Sequence, residues 1–234
     1  MDYMNVLTLD WKGALLGLGM AVALIILGYG IFGWFFVLTL LYFLILSAIV
    51  TYVGREFKIG VHLYQKSRGV KNVLANGLPA LAFAFLFFVS MLHGNDLLAK
   101  LGVVGFVSSV AAVMADKFGS ELGVLDGIPI SIVSFRQVKK GISGGVTLLG
   151  LAASLAGAML ISLAFIPLPL INNGFGMKPE IAAVIVIVAG FAGSIIDSVL
   201  GHYEEKGIGT KYTTNFICGI SGGIIAALLY LLVV

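Results

Sequence analysis

Seven stretches of about 20 residues, near 13–31, 33–53, 72–93, 97–116, 142–166, 180–201 and 213–234, are almost wholly apolar. A helix of that length matches the roughly 30 Å hydrocarbon thickness of a bilayer. Sixty per cent of the 234 residues are hydrophobic and only 11% are charged, which excludes a soluble domain with a solvated surface. The pattern predicts an all-α, polytopic membrane helix bundle of about seven transmembrane helices, multi-pass in the cell membrane and packed as one domain over residues 1–234. The boundary between the first two spans is the weakest, because Gly28-Tyr29-Gly30 is the only punctuation there. The opening dozen residues lack a cationic start and a small-residue cleavage signal follows nowhere near, so the N-terminus reads as retained. Cys218 is the single cysteine, which excludes a disulfide or a cysteine-based metal site within one chain.

The polar connections near 54–71, 117–141 and 202–212 carry most of the positive charge. Arg55, Lys58, Lys66, Arg68 and Lys71 fall in the first of these, Lys117, Arg136, Lys139 and Lys140 in the second, and Lys206 and Lys211 in the third, leaving Lys12, Lys100 and Lys178 elsewhere. The positive-inside rule assigns these connections to the cytoplasm, and the expected orientation has the N-terminus outside and the C-terminus cytoplasmic. Nothing in this charge pattern calls for nucleic acid.

Against that apolar background the carboxylates stand out, since one at a helix centre in hydrocarbon costs roughly 2.5–3.5 kcal/mol. Asp116 closes the fourth span in the segment Ala115-Asp116-Lys117-Phe118-Gly119-Ser120-Glu121. If the helix continues one turn, Asp116 and Ser120 share a face, with Glu121 nearby. Oxygen donors of this kind suit Mg²⁺, which is held by one or two carboxylates together with substrate phosphates. The bland alternative is a helix leaving the membrane with a lysine beside its acids.

A second group, Arg136, Lys139 and Lys140, precedes Gly141-Ile142-Ser143-Gly144-Gly145. Backbone N–H groups of a glycine-rich turn at a helix start form an anion site, which Lys139, Lys140 and Arg136 would reinforce. Basic residues and glycines are also ordinary at cytoplasmic helix ends and in helix packing, so both readings stand. A third group, Gly190, Gly193, Ser194, Asp197, Ser198 and Gly201, forms a small-residue stripe bearing one carboxylate. Gly150, Ser154 and Gly157 repeat the stripe without a charge and read as packing. The pentapeptide recurs as Gly219-Ile220-Ser221-Gly222-Gly223, which raises either a parallel internal repeat or a second packing motif. His62, His93 and His202 lack metal-ligand spacing, Asn76 and Asn215 sit just inside spans where an amide bonds across helices or reaches a substrate, and Trp34, Phe35 and Phe36 read as lipid-facing or interfacial.

On four ordered segments, Arg68–Gly77 (RGVKNVLANG), Ala115–Leu125 (ADKFGSELGVL), Lys139–Ser154 (KKGISGGVTLLGLAAS) and Gly190–Gly201 (GFAGSIIDSVLG), the chain resembles the integral-membrane phytyl-phosphate kinases and their archaeal, bacterial and animal relatives. It departs at Lys117, where a threonine often follows the aspartate, and at Ile142-Ser143, where Thr-Asn is usual. The resemblance implies transfer of a γ-phosphoryl group from CTP or another NTP to an isoprenyl (phytyl- or geranylgeranyl-type) monophosphate. Under it Asp116, Asp197 and Glu121 would hold Mg²⁺, with Lys139 stabilising the developing charge. Lys140, Arg136, Gly141, Ser143, Gly144, Gly145, Ser120, Ser194 and Ser198 would surround the nucleotide, and Arg68, Lys71 and Asn76 the acceptor. The expected partners are membrane lipid, a nucleotide, the isoprenyl phosphate and further copies of the chain in a homo-oligomer. Two rivals remain: a cation- or proton-coupled transporter, and a CTP-dependent polyprenol kinase or lipid cytidylyltransferase acting on another lipid.

Overall fold

The computed structural model describes residues 8–28, 30–64, 67–167 and 176–233; Tyr29, Lys66 and most of the turn between the fifth and sixth spans lie outside the described residues. The elements run α1 Trp11–Leu27, α2 Ile31–Tyr52, α3 Arg55–Gly60, α4 Val70–Leu92, α5 Asp96–Gly123, β1 Ile130–Ser131, β2 Gly145–Val146, α6 Leu148–Ser162 with a 3₁₀ turn to Phe165, α7 Pro179–Glu204 and α8 Lys211–Val233. Six of these helices are long and apolar enough to cross a membrane, and the first of the seven expected spans is a shorter apolar helix, α1. The chain is a multi-pass helical membrane bundle.

α5 is its axis. A helix apolar on every side is buried on every side, and α5 is 83% buried over its most apolar stretch, against 33–44% for the other long helices. Small residues permit this enclosure. A side chain at Gly102 would strike the backbone of Phe87 on α4 at 2.7 Å, one at Gly157 on α6 would meet the Met114 carbonyl at 2.9 Å, and one at Gly193 on α7 would press on Ala112 at 2.6 Å. These glycine stripes are packing surfaces, as expected for Gly150, Ser154 and Gly157. The second pentapeptide proves to be one as well. It lies within α8, where Gly219 abuts Pro79 and Gly222 abuts Ala112, while the first copy lies in a turn, so the two do not mark equivalent positions of a repeat.

Two boundaries differ from the sequence reading. The fourth span runs two turns beyond Asp116 to Gly123, because Lys117 and Glu121 pair at i, i+4 and Lys58 and Arg68 from neighbouring elements also pair with Glu121. Gly141–Gly145 does not open the fifth span; α6 begins at Leu148, capped by Thr147, whose Oγ1 accepts from Gly150 N at 3.0 Å. Phe35 and Phe36 do not face lipid. They are 4% and 0% exposed, stacked with Phe32, Phe87, Phe106 and Phe165 around α5, while Trp34, on the opposite side of α2, is 59% exposed. Their i, i+3, i+4 spacing from Phe32 explains the split.

The expected pairing of an outside N-terminus with cytoplasmic 54–71, 117–141 and 202–212 connections is corrected. Leu9 bridges to Arg68, Asp10 N donates to the Arg68 carbonyl at 3.1 Å, and Arg68 N donates to the Thr8 carbonyl at 2.9 Å. The start of α1 therefore shares a face with those connections, and Lys12 joins their basic residues. With α1, α2, α4, α5, α6, α7 and α8 running alternately up and down, the end of α8 lies on the opposite face.

Candidate functional site

At the cationic face the last two turns of α5 project two different chemistries on two sides. Asp116, Gly119, Ser120 and Gly123 look toward α6, α7 and the β1–β2 hairpin, whereas Lys117 and Glu121 look toward α2, α3 and Arg68. Asp116 and Ser120 border both spaces. Two cavities of about 130 Å³ and 220 Å³ meet at these residues, and also share Val124, Gly141, Lys211 and Asn215.

The first cavity is built around a carboxylate pair. Asp197 on α7 and Asp116 on α5 both line it, close enough for their charges to act on each other along with those of Lys211 and Glu204. Asp197 Oδ1 is buried and has no hydrogen-bond partner among the described residues. Two carboxylates at this range repel, so a cation or a shared proton is required between them. The floor is made of small residues: Gly119, Gly123, Gly150 and Ser154 where α5 meets α6, and Ser194 and Ser198 on α7. Ser194 and Ser198 donate back to the carbonyls of Phe191 and Ser194 at 2.8 and 3.1 Å, leaving their oxygen lone pairs open.

The glycine turn closes this cavity by docking on α7. Gly144 takes φ +77°, and a Cβ there would lie 2.6 Å from both the Ser198 carbonyl and the His202 N–H. A Cβ on Gly201 would in turn lie 2.6 Å from Gly144 N, so only glycines allow the two backbones to meet. Ser143 N donates to Glu205 Oε1 at 2.9 Å, and Gly145 N to the Ile142 carbonyl at 3.2 Å. With Ile142 N donating to the Lys139 carbonyl at 3.3 Å, three N–H groups of the expected anion nest are thus engaged within the protein. Gly141, Ser143, Gly144 and Gly145 do line the cavity, together with the first turn of α6, where the positive end of its dipole lies. Arg136, Lys139 and Lys140 do not line it. The hairpin turns Arg136 and Lys139 outward into exposure, and Lys140 donates to the Val124 carbonyl at 3.1 Å across the ring of Phe57.

The second cavity is cationic. Lys58, Arg68, Lys117 and Lys211 line it against the carboxylates of Asp116 and Glu121, with Asn72, Asn76 and Asn215 alongside. Glu121 is the hub: Lys58 Nζ donates to its Oε2 at 2.6 Å, Arg68 Nη2 to Oε1 at 3.4 Å, Thr51 Oγ1 to Oε1 at 3.3 Å, and Lys117 pairs with Oε1 as well. Lys58 is 1% exposed and also donates to the Thr51 carbonyl at 2.8 Å, so the pair pins the short α3 under the bundle. Glu121 is therefore not brought to the Asp116–Asp197 pair. No group of three or more His, Cys, Asp or Glu side chains converges among the described residues. Burial lowers the pKa of the Arg68 guanidinium, opposed by Glu121 and Asp116, which favour its charged form.

Of the expected acceptor contacts, Arg68 and Asn76 line this cavity, and Asn215 Nδ2 donates to Asn76 Oδ1 at 3.1 Å across α4 and α8. Lys71 instead lies over the ring of Tyr212. Lys58, Lys117, Lys211 and Asn72 were missed as lining residues. Only Lys117 carried a signal, its i, i+4 relation to Glu121.

Two carboxylates and a hydroxyl-lined floor fit a magnesium ion, which keeps several waters and binds through one or two carboxylates plus phosphate oxygens. The orphaned Asp197 oxygen is a donor atom for it.

No solved structure matches this chain. It is 36% identical over 201 residues to an uncharacterized membrane protein of Methanocaldococcus jannaschii, MJ0933, covering 85% of this chain and 77% of that protein. Over 180 residues it is 33% identical to Protein PGR of Arabidopsis thaliana, covering 69% of this chain and 62% of PGR, so it spans less than two thirds of the plant protein. Residues 3–219 match the family described as integral membrane protein DUF92, and the chain belongs to that family.

Proposed function

We propose that this protein is a Mg²⁺-dependent phosphotransferase that moves the γ-phosphoryl group of CTP or another NTP to an isoprenyl monophosphate at the membrane surface. The observation that carries this reading is the junction at Asp116 between a carboxylate-paired cavity and a cavity with four cations against two carboxylates. The first suits a metal-bound triphosphate and the second a phosphomonoester dianion. The resemblance to phytyl-phosphate kinases supports the isoprenyl nature of the acceptor.

In this reading Asp116 and Asp197 hold Mg²⁺, which when bound neutralises charge on the nucleotide phosphates. The Gly141–Gly145 turn and the α6 N-terminus orient the triphosphate, and Lys211, bordering both cavities, offsets charge that develops between donor and acceptor. Arg68 and Asn76 hold the acceptor phosphate. One of its oxygens attacks the γ-phosphorus, the bond from that phosphorus to the β,γ-bridging oxygen breaks, and the nucleoside diphosphate leaves. The acceptor is already ionised, so no protein base is needed, and alignment with electrostatic stabilisation is the chief demand.

Purified protein incubated with labelled CTP or ATP, Mg²⁺ and a panel of prenyl monophosphates tests this, with Asp116→Asn and Asp197→Asn as controls. Prenyl diphosphate should form with the wild type and fall at least about 100-fold in each variant. Product retaining the nucleotide would instead favour a cytidylyltransferase. Ion flux into proteoliposomes without phosphoryl transfer would favour the transporter reading.

A further inference from the structure

An apolar groove leaves the cationic cavity at Arg68. It shares Phe43, Arg68, Asn72 and Asn76 with that cavity, then continues along Leu9, Met20, Leu40, Leu44, Val73 and Gly77 between α1, α2 and α4. Polarity changes along its length. Arg68 Nη1 donates to Ser47 Oγ at 3.2 Å on the groove side while Nη2 reaches Glu121 on the cavity side, so the guanidinium marks the border. Beyond it the lining is hydrocarbon apart from Thr8 and Ser47, which is 3% exposed.

The outer wall is α1, the short apolar helix, which packs on α2 and α4 and buries only Gly13, Met20 and Leu24. On the opposite side of α1, Leu15, Leu18, Val22 and Ile26 are exposed. Such a wall separates the groove from surrounding lipid by one helix.

We propose that this groove holds the hydrocarbon chain of a lipid phosphomonoester whose headgroup occupies the cationic cavity, and that Met20 and Gly77 set how much chain it accepts. The inference takes its headgroup from the proposed function and adds the site of the tail. The occupant follows from continuity and charge. The groove opens into a cavity whose four cations exceed its two carboxylates, so an amphiphile bound here presents an anionic end to Arg68 and an apolar end to Met20. A neutral lipid would leave the cations without an added partner, and a soluble phosphate would leave the groove unused. Gly77 and Met20 meet across the floor: a Cβ at position 77 would lie 2.6 Å from Met20 Sδ. A larger residue at 77 fills the groove, whereas a smaller one at 20 lengthens it. Methionine, with three rotatable bonds, suits a floor that adjusts to its occupant.

The test uses the full-length protein in nanodiscs and an alkyl monophosphate carrying a diazirine near the end of its chain, followed by peptide mapping of the crosslinks. Labelling should fall on Met20, Leu40, Leu44 and their neighbours. Farnesyl or geranylgeranyl monophosphate should displace it, and inorganic phosphate or the matching alcohol should do so at least about tenfold less effectively. Gly77→Val should weaken binding of the C20 phosphate about tenfold or more and leave the C10 phosphate within about twofold, with Met20→Ala shifting preference the other way. A melting curve checks that each variant is folded, and the wild-type crosslink map stands without them. Crosslinks spread over the lipid-facing surface, or equal competition by the alcohol, would overturn the proposal. Competed crosslinks in the groove without phosphoryl transfer would keep it and refute only the kinase reading.

Discussion

Glu121→Gln and Asp116→Asn remove one carboxylate each from neighbouring turns of α5, yet they should act in opposite ways. Glu121 faces Lys58, Lys117 and Arg68, and Lys58 is 1% exposed. Neutralising the carboxylate strands a buried ammonium and weakens the anchor of α3. Breaking a buried pair on one side costs about 3–5 kcal/mol. The backbone carbonyls of Val50 and Thr51 still accept from Lys58 Nζ, which argues for the low end, about 3 kcal/mol. For a chain of this size that corresponds to a melting temperature lowered by roughly 6–12 °C. Asp116→Asn instead relieves repulsion with Asp197, so its melting temperature should be unchanged or raised while phosphoryl transfer is lost. Thermal unfolding in detergent, followed by intrinsic fluorescence beside the turnover assay, separates the two. If Glu121→Gln melted like the wild type and lost turnover as Asp116→Asn does, Glu121 would be a ligand of the reaction centre and the two-sided reading of α5 would be wrong.

Four further outcomes follow from the geometry. Lys139→Ala should leave kcat/KM within about twofold, because Lys139 is exposed outside the cavity, whereas Lys211→Ala should lower it at least about tenfold; steady-state kinetics decide. Gly144→Ala meets a left-handed backbone cost of about 1–2 kcal/mol, added to contact with α7, and should raise KM for the nucleotide while leaving KM for the prenyl phosphate alone. Mg²⁺ without nucleotide should give no thermal shift at about 1 mM and a clear one with CTP, since two carboxylates alone make an incomplete set. In a Cys218→Ser background, cysteines replacing Glu56 and Arg136 should react with an impermeant maleimide from the same side of sealed vesicles as an N-terminal tag, and a cysteine replacing Asn95 from the other. The positive-inside rule predicts that the shared side is cytoplasmic, which the same labelling in whole cells checks.

The spans were legible because length and apolarity alone define them, and Asp116 and Asp197 because a carboxylate inside an apolar run has few structural uses. Glu121 was misplaced for an equally physical reason. It lies one turn from Asp116, and sequence distance along α5 does not reveal that a helix presents neighbours one and five residues apart to different elements. Its principal partner, Lys58, is 63 residues away on a six-residue helix within a connection read only as polar and positively charged. Lys139 and Arg136 failed in the reverse direction: adjacency to a glycine turn promised phosphate contact, but the hairpin formed by Ile130–Ser131 and Gly145–Val146 directs them outward. The chain's charge asymmetry was readable as a property of one face, yet only the Leu9–Arg68 bridge shows that the start of α1 belongs to it.

The two copies of Gly-Ile-Ser-Gly-Gly show why motif identity underdetermines a site in a membrane bundle. At 219–223 the glycines are helical, and their missing side chains are spent on contact with Pro79 and Ala112. At 141–145 Gly141 and Gly144 take φ of +85° and +77°, which no α-helix permits; the missing side chain of Gly144 lets the turn approach α7, and that of Gly141 leaves room for Leu63. The flanks decide between these fates. Ile224-Ile225-Ala226-Ala227 extends an apolar helix, whereas Val146-Thr147 ends the first copy with a strand residue and an N-cap, so a new helix must start beyond it. That start directs the positive end of α6 toward Asp116 and Asp197. Removing the cap, at the edge of the cavity, should therefore perturb the site through the start of α6. In Thr147→Ala the Oγ1 acceptor for Gly150 N and the donor to the Gly123 carbonyl are both lost, at a cost of about 1 kcal/mol. Nucleotide affinity should fall severalfold, and Thr147→Ser should restore it. If alanine and serine behaved alike, the α6 terminus would have no part in holding the triphosphate.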